Sequence, residues 1–281
     1  MTGRKIKRVI ILTGSELRHD FFRKYIASKI NGRVELSCCE SKKGNVQELI
    51  ASQSNKSLRS NHLLTREKTE KDFFGLFCEE VKDSSNPIHL EKGEVNNDDI
   101  VNKIIQINPD IIVAYGCSIV KSELLNKFKG QFINVHLGIS PYYRGAGTNY
   151  WPYVNNELAC VGTTFMHINE GIDTGDIIHQ IRAEIYPDDT IHQTGMRLIA
   201  NSAKELVKMI DCFDDISNDG KKHELIETPV NRYYKKKDFT EASLTRAMNN
   251  IASGMVNDYL SDKINIDQKF PIITNNILAG L

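Results

Sequence analysis

Phe132-Ile133-Asn134-Val135-His136-Leu137, then Ser140-Pro141-Tyr142-Tyr143-Arg144-Gly145, then Gly171-Ile172-Asp173-Thr174-Gly175-Asp176-Ile177-Ile178: the reading of the chain turns on these three pieces of one stretch. The first piece is a short apolar strand. Side chains at i and i+2 of a strand share a face, so Asn134 and His136 project together from its end. A loop rich in Gly, Ser and Pro follows, which places the pair at a strand's carboxyl end. Open α/β sheets bind their ligands there. Asp173 lies between two glycines that permit a tight turn, and such a turn could return its carboxylate to the histidine. An amide and an imidazole side by side can stabilise an oxyanion or move a proton, and an adjacent carboxylate fixes the ring's tautomer. Any one of the three residues alone reads better as a polar strand end, a structural histidine or a turn aspartate.

The flanking sequence sets the fold. Residues 8–13 (Arg-Val-Ile-Ile-Leu-Thr) form a β-branched run ending at Gly14-Ser15. The spacing of Phe21, Phe22, Tyr25 and Ile26 predicts a helix over 16–30 with Ser15 as its cap. Residues 34–39 are a second strand, 87–90 a third, and 97–106 a helix. Residues 109–116 (Pro-Asp-Ile-Ile-Val-Ala-Tyr-Gly) give the strongest strand signal, and a short helix follows to Phe128. Strand, helix and strand in alternation define a doubly wound, mostly parallel α/β sheet. Residues 41–61 read as a polar loop or poorly packed helix, and 63–82 as an amphipathic helix. Residues 161–168 alternate as a half-buried strand should, 177–185 return antiparallel to it, and Thr190 caps a helix over 191–212. The organisation expected is a catalytic domain over 1–215 and a small, mostly helical C-terminal extension over 216–281. Leu244, Met248, Ile251, Met255 and Leu260 form one stripe on a helix of about 20 residues, a core face or a homodimer contact.

Asn134-x-His136, Ser140-Pro141-x-x-Arg144-Gly145 and Asp173-x-Gly175-x-Ile177-Ile178 together resemble the signature of the 10-formyltetrahydrofolate-dependent formyltransferases. The resemblance covers about residues 5–215 in element order. It implies a Rossmann-like formyltransferase fold, with Asn134, His136 and Asp173 as the catalytic positions and 10-formyltetrahydrofolate as co-substrate. It also implies that Ser118, Ile119 and Val120 form one wall of the folate pocket, while Glu170, Gly171 and Ile172 close over the pteridine. The Gly14-Ser15 turn resembles a loop that contacts phosphate in some members, and a plain strand-to-helix turn fits it equally.

Arg144 beside Gly145 could neutralise a phosphate, orient a carboxylate, or pin its own loop. Tyr150 and Trp151 could stack on a base or sugar ring, although core packing is the better default. With 36 basic and 36 acidic residues the chain carries no formal net charge, which argues against a polyanion such as tRNA as the main partner. No basic leader precedes a long apolar run, and no run of about 18 apolar residues offers a membrane span. The six cysteines lack a C-x-x-C pair and read as buried thiols, so no metal site is expected. A cytoplasmic enzyme follows from these features. The extension is too short and too helical for the β-barrel of methionyl-tRNA formyltransferases, and glycinamide ribonucleotide transformylases usually end near residue 212. The resemblance is therefore to sugar N-formyltransferases, and the acceptor expected is the amine of a nucleotide-linked aminodeoxy sugar. The alternatives are another amine acceptor of the glycinamide ribonucleotide or methionyl-tRNA type, a 10-formyltetrahydrofolate hydrolase, and a non-catalytic folate- or nucleotide-binding module.

Overall fold

The structure is a computed structural model, and it describes residues 7–30, 33–41, 57–216, 220–222, 228 and 230–279. Strand β1 (Val9–Gly14), helix α1 (Leu17–Lys29), strand β2 (Val34–Ser41), helix α2 (Leu58–Glu80) and strand β3 (Pro87–Glu91) build the first half of a seven-stranded sheet. Helix α3 (Asp98–Ile107), strand β4 (Ile111–Tyr115), helix α4 (Ser122–Lys127) and strand β5 (Phe132–His136) follow. The strand order is β3-β2-β1-β4-β5-β7-β8, where β7 is Gly162–Met166 and β8 is Ile177–Arg182. The first five strands run parallel, β7 adds antiparallel to β5, and β8 adds antiparallel to β7. The chain winds outward from β1 to β3 and then crosses back to β4. The gap between the carboxyl ends of β1 and β4 is thus the switch point at which such sheets open a crevice.

Burial explains why β1 lacks alternation. Val9 and Ile11 pack with Phe22, Ile26, Phe74 and Leu206 on one face, while Ile10 and Leu12 pack with Leu36, Val101, Leu124 and Phe128 on the other. Both faces are covered, so the run from Val9 to Leu12 is apolar throughout. The same holds for β7, all of whose residues are buried. The half-buried reading of that strand is corrected, because the polar members of its alternation, Thr163 and Thr164, bond inside the core. Thr163 bonds Ser202 Oγ at 2.8 Å, and Thr164 Oγ1 donates to Gly138 O at 2.6 Å.

Three boundaries differ from the sequence reading. The residue at the cap of α1 is Glu16, not Ser15, because Glu16 exchanges bonds with His19 three residues on. Helix α2 begins at Leu58, capped by Ser57, five residues before the helix expected from 63 and inside the stretch read as a loop or poorly packed helix; residues 42–56 of that stretch lie outside the described residues. The helix expected over 241–260 is two, α8 (Glu241–Ala252) and α9 (Met255–Ser261), since Gly254 at φ +93° turns the chain out of the helical region. The stripe is broken accordingly: Leu244 and Met255 are buried and Met248 is exposed. Between β5 and α8 in chain order also lie strand β6 (Tyr143–Gly145), helix α5 (Trp151–Asn155), helix α6 (Ile191–Asp211), helix α7 (Phe213–Ile216) and strand β9 (Arg232–Tyr234). One apolar cluster joins Tyr142, Tyr153 and Leu198 to Leu244, Ala247, Met255 and Tyr259. The C-terminal helices therefore share a core with the segment that follows β5. Truncation of Leu244, wholly buried in that cluster, to Ala is expected to lower the unfolding free energy by about 2–5 kcal/mol in a urea titration.

His62 on α2 and His192 on α6 face one another with ring centroids 4.4 Å apart. Burial, then the neighbouring Arg66, lowers His62 to about 4. Burial, then His62 and Arg66, lowers His192 to about 3. Unfolded histidine binds its proton near 6.5, so the unfolded chain takes up protons first as the solution is acidified. The stability that these neutral rings contribute is full above pH 6.5 and is lost as pH falls toward about 4. Urea midpoints are expected to drop over that window, and His62→Gln should flatten the drop.

Candidate active site

Strand β5 ends against β4 on one side and β7 on the other, which fixes Asn134 and His136 on a common face. Asn169 shapes the loop that carries Asp173. Its Oδ1 accepts from Gly171 N–H at 3.0 Å and from Thr174 Oγ1 at 2.8 Å, and its Nδ2 donates to Thr174 O at 3.0 Å. Asp173 sits at φ +52°, a conformation that aspartate tolerates better than most residues. That turn brings its carboxylate to the pair on β5. Asn134 Nδ2 donates to Asp173 Oδ1 at 3.3 Å, and His136 Nδ1 lies 3.3 Å from the same oxygen. Gly145 N–H donates to Oδ2 at 3.0 Å. His136 Nε2 faces Tyr143 O at 3.1 Å. Both ring nitrogens thus face oxygen acceptors, and only the doubly protonated ring can donate to both at once.

A cavity of about 440 Å³ opens in front of this group. Asn134, His136, Asp173 and Gly145 line it, together with Arg18, His19, Tyr115, Tyr150 and backbone at Gly116 and Cys117. It lies outside the carboxyl ends of β4 and β5, beside the start of α1.

The other anticipated residues divide. Ser118, Ile119 and Val120 follow β4 next to Gly116 and Cys117. Ile119 is 76% exposed, whereas Val120 is buried among Leu124 and Phe128 and offers no side chain to a ligand. Glu170, Gly171 and Ile172 are exposed in the Asp173 loop. Of the anticipated acceptor contacts, Gly145 and Tyr150 line the cavity. The Tyr150 hydroxyl lies 2.9 Å from Ser243 Oγ. Trp151 is core: it is buried, donates to Ala146 O at 2.9 Å and stacks on Tyr234 at 3.9 Å. Arg144 donates to Asn231 Oδ1 at 3.0 Å and is not part of the cavity wall, so it pins its own loop. Gly14 and Ser15 also lie outside the wall. The Glu16 side chain occupies the amide end of α1 that a phosphate would use. Among the described residues no group of three or more His, Cys, Asp or Glu side chains could hold a metal ion, and no helix is long and apolar enough to cross a membrane.

Three contributors escaped the sequence reading. Glu40, buried at the end of β2, accepts from Gly93 N–H at 2.8 Å, Val95 N–H at 3.3 Å and Ser118 N–H at 2.6 Å. The signal available was a lone carboxylate closing an apolar strand. His19 is buried against the Tyr115 ring, with centroids 4.9 Å apart, and reaches the cavity from the first turn of α1. Nothing in its sequence neighbourhood marks it. The Tyr143 carbonyl is a backbone group, which no side-chain pattern announces. Glu40→Ala is expected to destabilise the fold by about 1–3 kcal/mol, because it leaves buried amides unpaired. Faster proteolysis at residues 117–120 should accompany the loss.

Fold and cleft define a doubly wound α/β protein with an amide, an imidazole and a carboxylate at the strand ends. Residues 8–210 match the Formyl transferase family, and the chain belongs to that family. Among curated relatives, methionyl-tRNA formyltransferase of Clostridioides difficile (strain 630) is 37% identical over 120 residues. That match covers 40% of this chain and 38% of the relative, so it spans well under half the relative's length. Among solved structures, a phosphoribosylglycinamide formyltransferase from Streptococcus pneumoniae TIGR4 superposes with a TM-score of 0.51 at 18% identity, covering 74% of this chain and 99% of that one. A sugar N-formyltransferase from Shewanella sp FDAARGOS_354 gives 0.52 at 18% identity, covering 84% and 79%. At such identities the structural likeness speaks for the fold alone.

Proposed function

We propose that this protein transfers a formyl group from 10-formyltetrahydrofolate to a primary amine, and that the amine belongs to a nucleotide-linked aminodeoxy sugar. The observation that carries the reading is the convergence of Asn134, His136 and Asp173 on an open cavity at the strand ends. The residues present fit a folate-borne formyl donor. Gly116 and Cys117 line one wall, the exposed Ile119 offers apolar surface close to them in the chain, and residues 170–172 are exposed in the loop that brings Asp173 to the cavity.

The chemistry asked of this chain is modest. Asn134 spends one N–H on Asp173 and keeps the second for the oxygen that gains charge as the amine attacks the formyl carbon. His136 has both nitrogens engaged, so in its doubly protonated form it serves the same oxygen as a nearby positive charge. Asp173 holds the ring in place, balances that charge and can accept the proton that the amine sheds, while the imidazolium can give one to the folate nitrogen released as its bond to the formyl carbon breaks.

Two features favour a small acceptor. The chain has no net charge with which to grip a polyanion, and its tail folds onto β6 and α5. The methionyl-tRNA formyltransferase relatives support a second reading, in which the amine is that of methionyl-tRNA. A mass-spectrometric screen for formylated product, with UDP-, dTDP- and GDP-aminosugars in one arm and methionyl-tRNA in the other, separates the two. Formylation of an aminosugar is expected, and formylation of methionyl-tRNA alone would contradict the acceptor. On the accepted substrate, Asn134→Ala and His136→Ala are each expected to lower turnover by about 10²–10³ or more with melting temperature retained. Near-normal turnover in purified His136→Ala would remove the mechanism.

A further inference from the structure

Strand β6 has two edges, and each is bonded to a different part of the molecule. Along a strand, successive residues direct their backbone groups to opposite edges. On one edge, Tyr142 O accepts from Arg232 N–H at 2.9 Å and Ala146 N–H donates to Tyr234 O at 2.8 Å, with Arg144 in register with Tyr233 of β9. On the other edge, Tyr143 O faces His136 Nε2 at 3.1 Å and Gly145 N–H donates to Asp173 Oδ2 at 3.0 Å. Even-numbered residues hold the tail, and odd-numbered residues hold the imidazole and the carboxylate.

Strand β9 is itself fixed by side chains. The Tyr234 ring lies flat on Trp151, 3.9 Å between centroids and 6° from parallel, and its hydroxyl accepts from Asn155 Nδ2 at 2.9 Å. Arg232 Nη2 meets Glu157 Oε1 at 2.6 Å. The fit is close enough to dictate sequence on β6. Gly145 adopts φ +94°, and a Cβ there would stand 2.2 Å from Tyr234 O. None of Arg232, Tyr233 and Tyr234 lines the cavity.

From this arrangement we infer that β9 is a positioning strand: Tyr234, backed by Trp151 and Asn155, sets the placement of His136 and Asp173 by gripping the far edge of β6. The inference rests on the reading of the cavity as a formyl-transfer site. A displacement near 1 Å of a group that must meet the reacting atoms can cost about 100-fold in rate, so a loosened β9 should be felt in turnover rather than in donor binding.

Purified full-length Tyr234→Ala, Tyr234→Phe and Arg232→Gln provide the test, with wild type alongside. Thermal melts, kcat and KM for 10-formyltetrahydrofolate, and ¹⁵N spectra of labelled histidines are recorded for each. Tyr234→Ala is expected to lose about 10–100-fold in kcat with KM held within about threefold. Its His136 ring ¹⁵N signals should move in the absence of any substrate. Tyr234→Phe keeps the stack and should recover most of the rate. Should Tyr234→Ala fail to fold, Arg232→Gln removes the ion pair at the other end of β9 while the stack and the bond from the Tyr143 hydroxyl to Glu157 stay in place, and smaller changes of the same kind are expected. Unmoved His136 signals and wild-type kcat in a folded variant would overturn the inference. A wild-type protein that formylates nothing would instead overturn the proposed function, and the ring signals would still decide the role of β9.

Discussion

The carboxylate of Asp173 is the constraint on which the rest of the site depends. One of its oxygens receives the Asn134 amide and faces the His136 ring, and the other receives the Gly145 amide. Strand β5, the loop over 169–174 and strand β6 come from separate parts of the chain, and this one group ties them together. An isolated carboxylate at a buried position is costly, and two donors with a facing imidazole are what make it tolerable there. The arrangement also orders the cavity. With the carboxylate satisfied from three sides, the second N–H of Asn134 is left for whatever enters from solvent.

The sheet explains why these groups meet at this place. Parallel strands β1 to β5 leave a crevice where the winding reverses, and the antiparallel pair β7 and β8 then carries the chain back toward β5. The Asp173 loop is the connection between β7 and β8; the register sets Met166 beside Asn134, so the loop leaves next to the amino half of β5, and the turn at Asp173 is what reaches back to His136. Helix α1 enters from the opposite side and supplies Arg18 and His19 to the wall. Its amide end is filled by Glu16, a local choice that takes an anion site out of use.

Much of this was legible in the sequence because it rests on short-range regularities. Apolar runs without alternation marked the strands covered on both faces, and the i, i+2 spacing of Asn134 and His136 required them to share a direction. Glycines at 171 and 175 flagged the turn that carries Asp173. What could not be read depends on backbone groups and on long-range pairing. No residue type announces that Tyr143 will offer its carbonyl to an imidazole, or that residues 232–234, a basic and aromatic run, will form a strand on β6. Composition misled at 241–260, where a continuous apolar stripe concealed the break that Gly254 imposes. Core packing was the better default for Trp151, and its stacking partner is Tyr234 from the tail, which no local pattern names.

If Asp173, Asn134 and His136 act as one unit, their removal cannot be additive. A double-mutant cycle on kcat/KM with Asn134→Ala, Asp173→Asn and the pair together measures this directly. The account predicts that the double variant is scarcely slower than the worse of the two single variants. Losses that multiply in the double variant would mean that the two side chains work independently, and the account centred on Asp173 would fall.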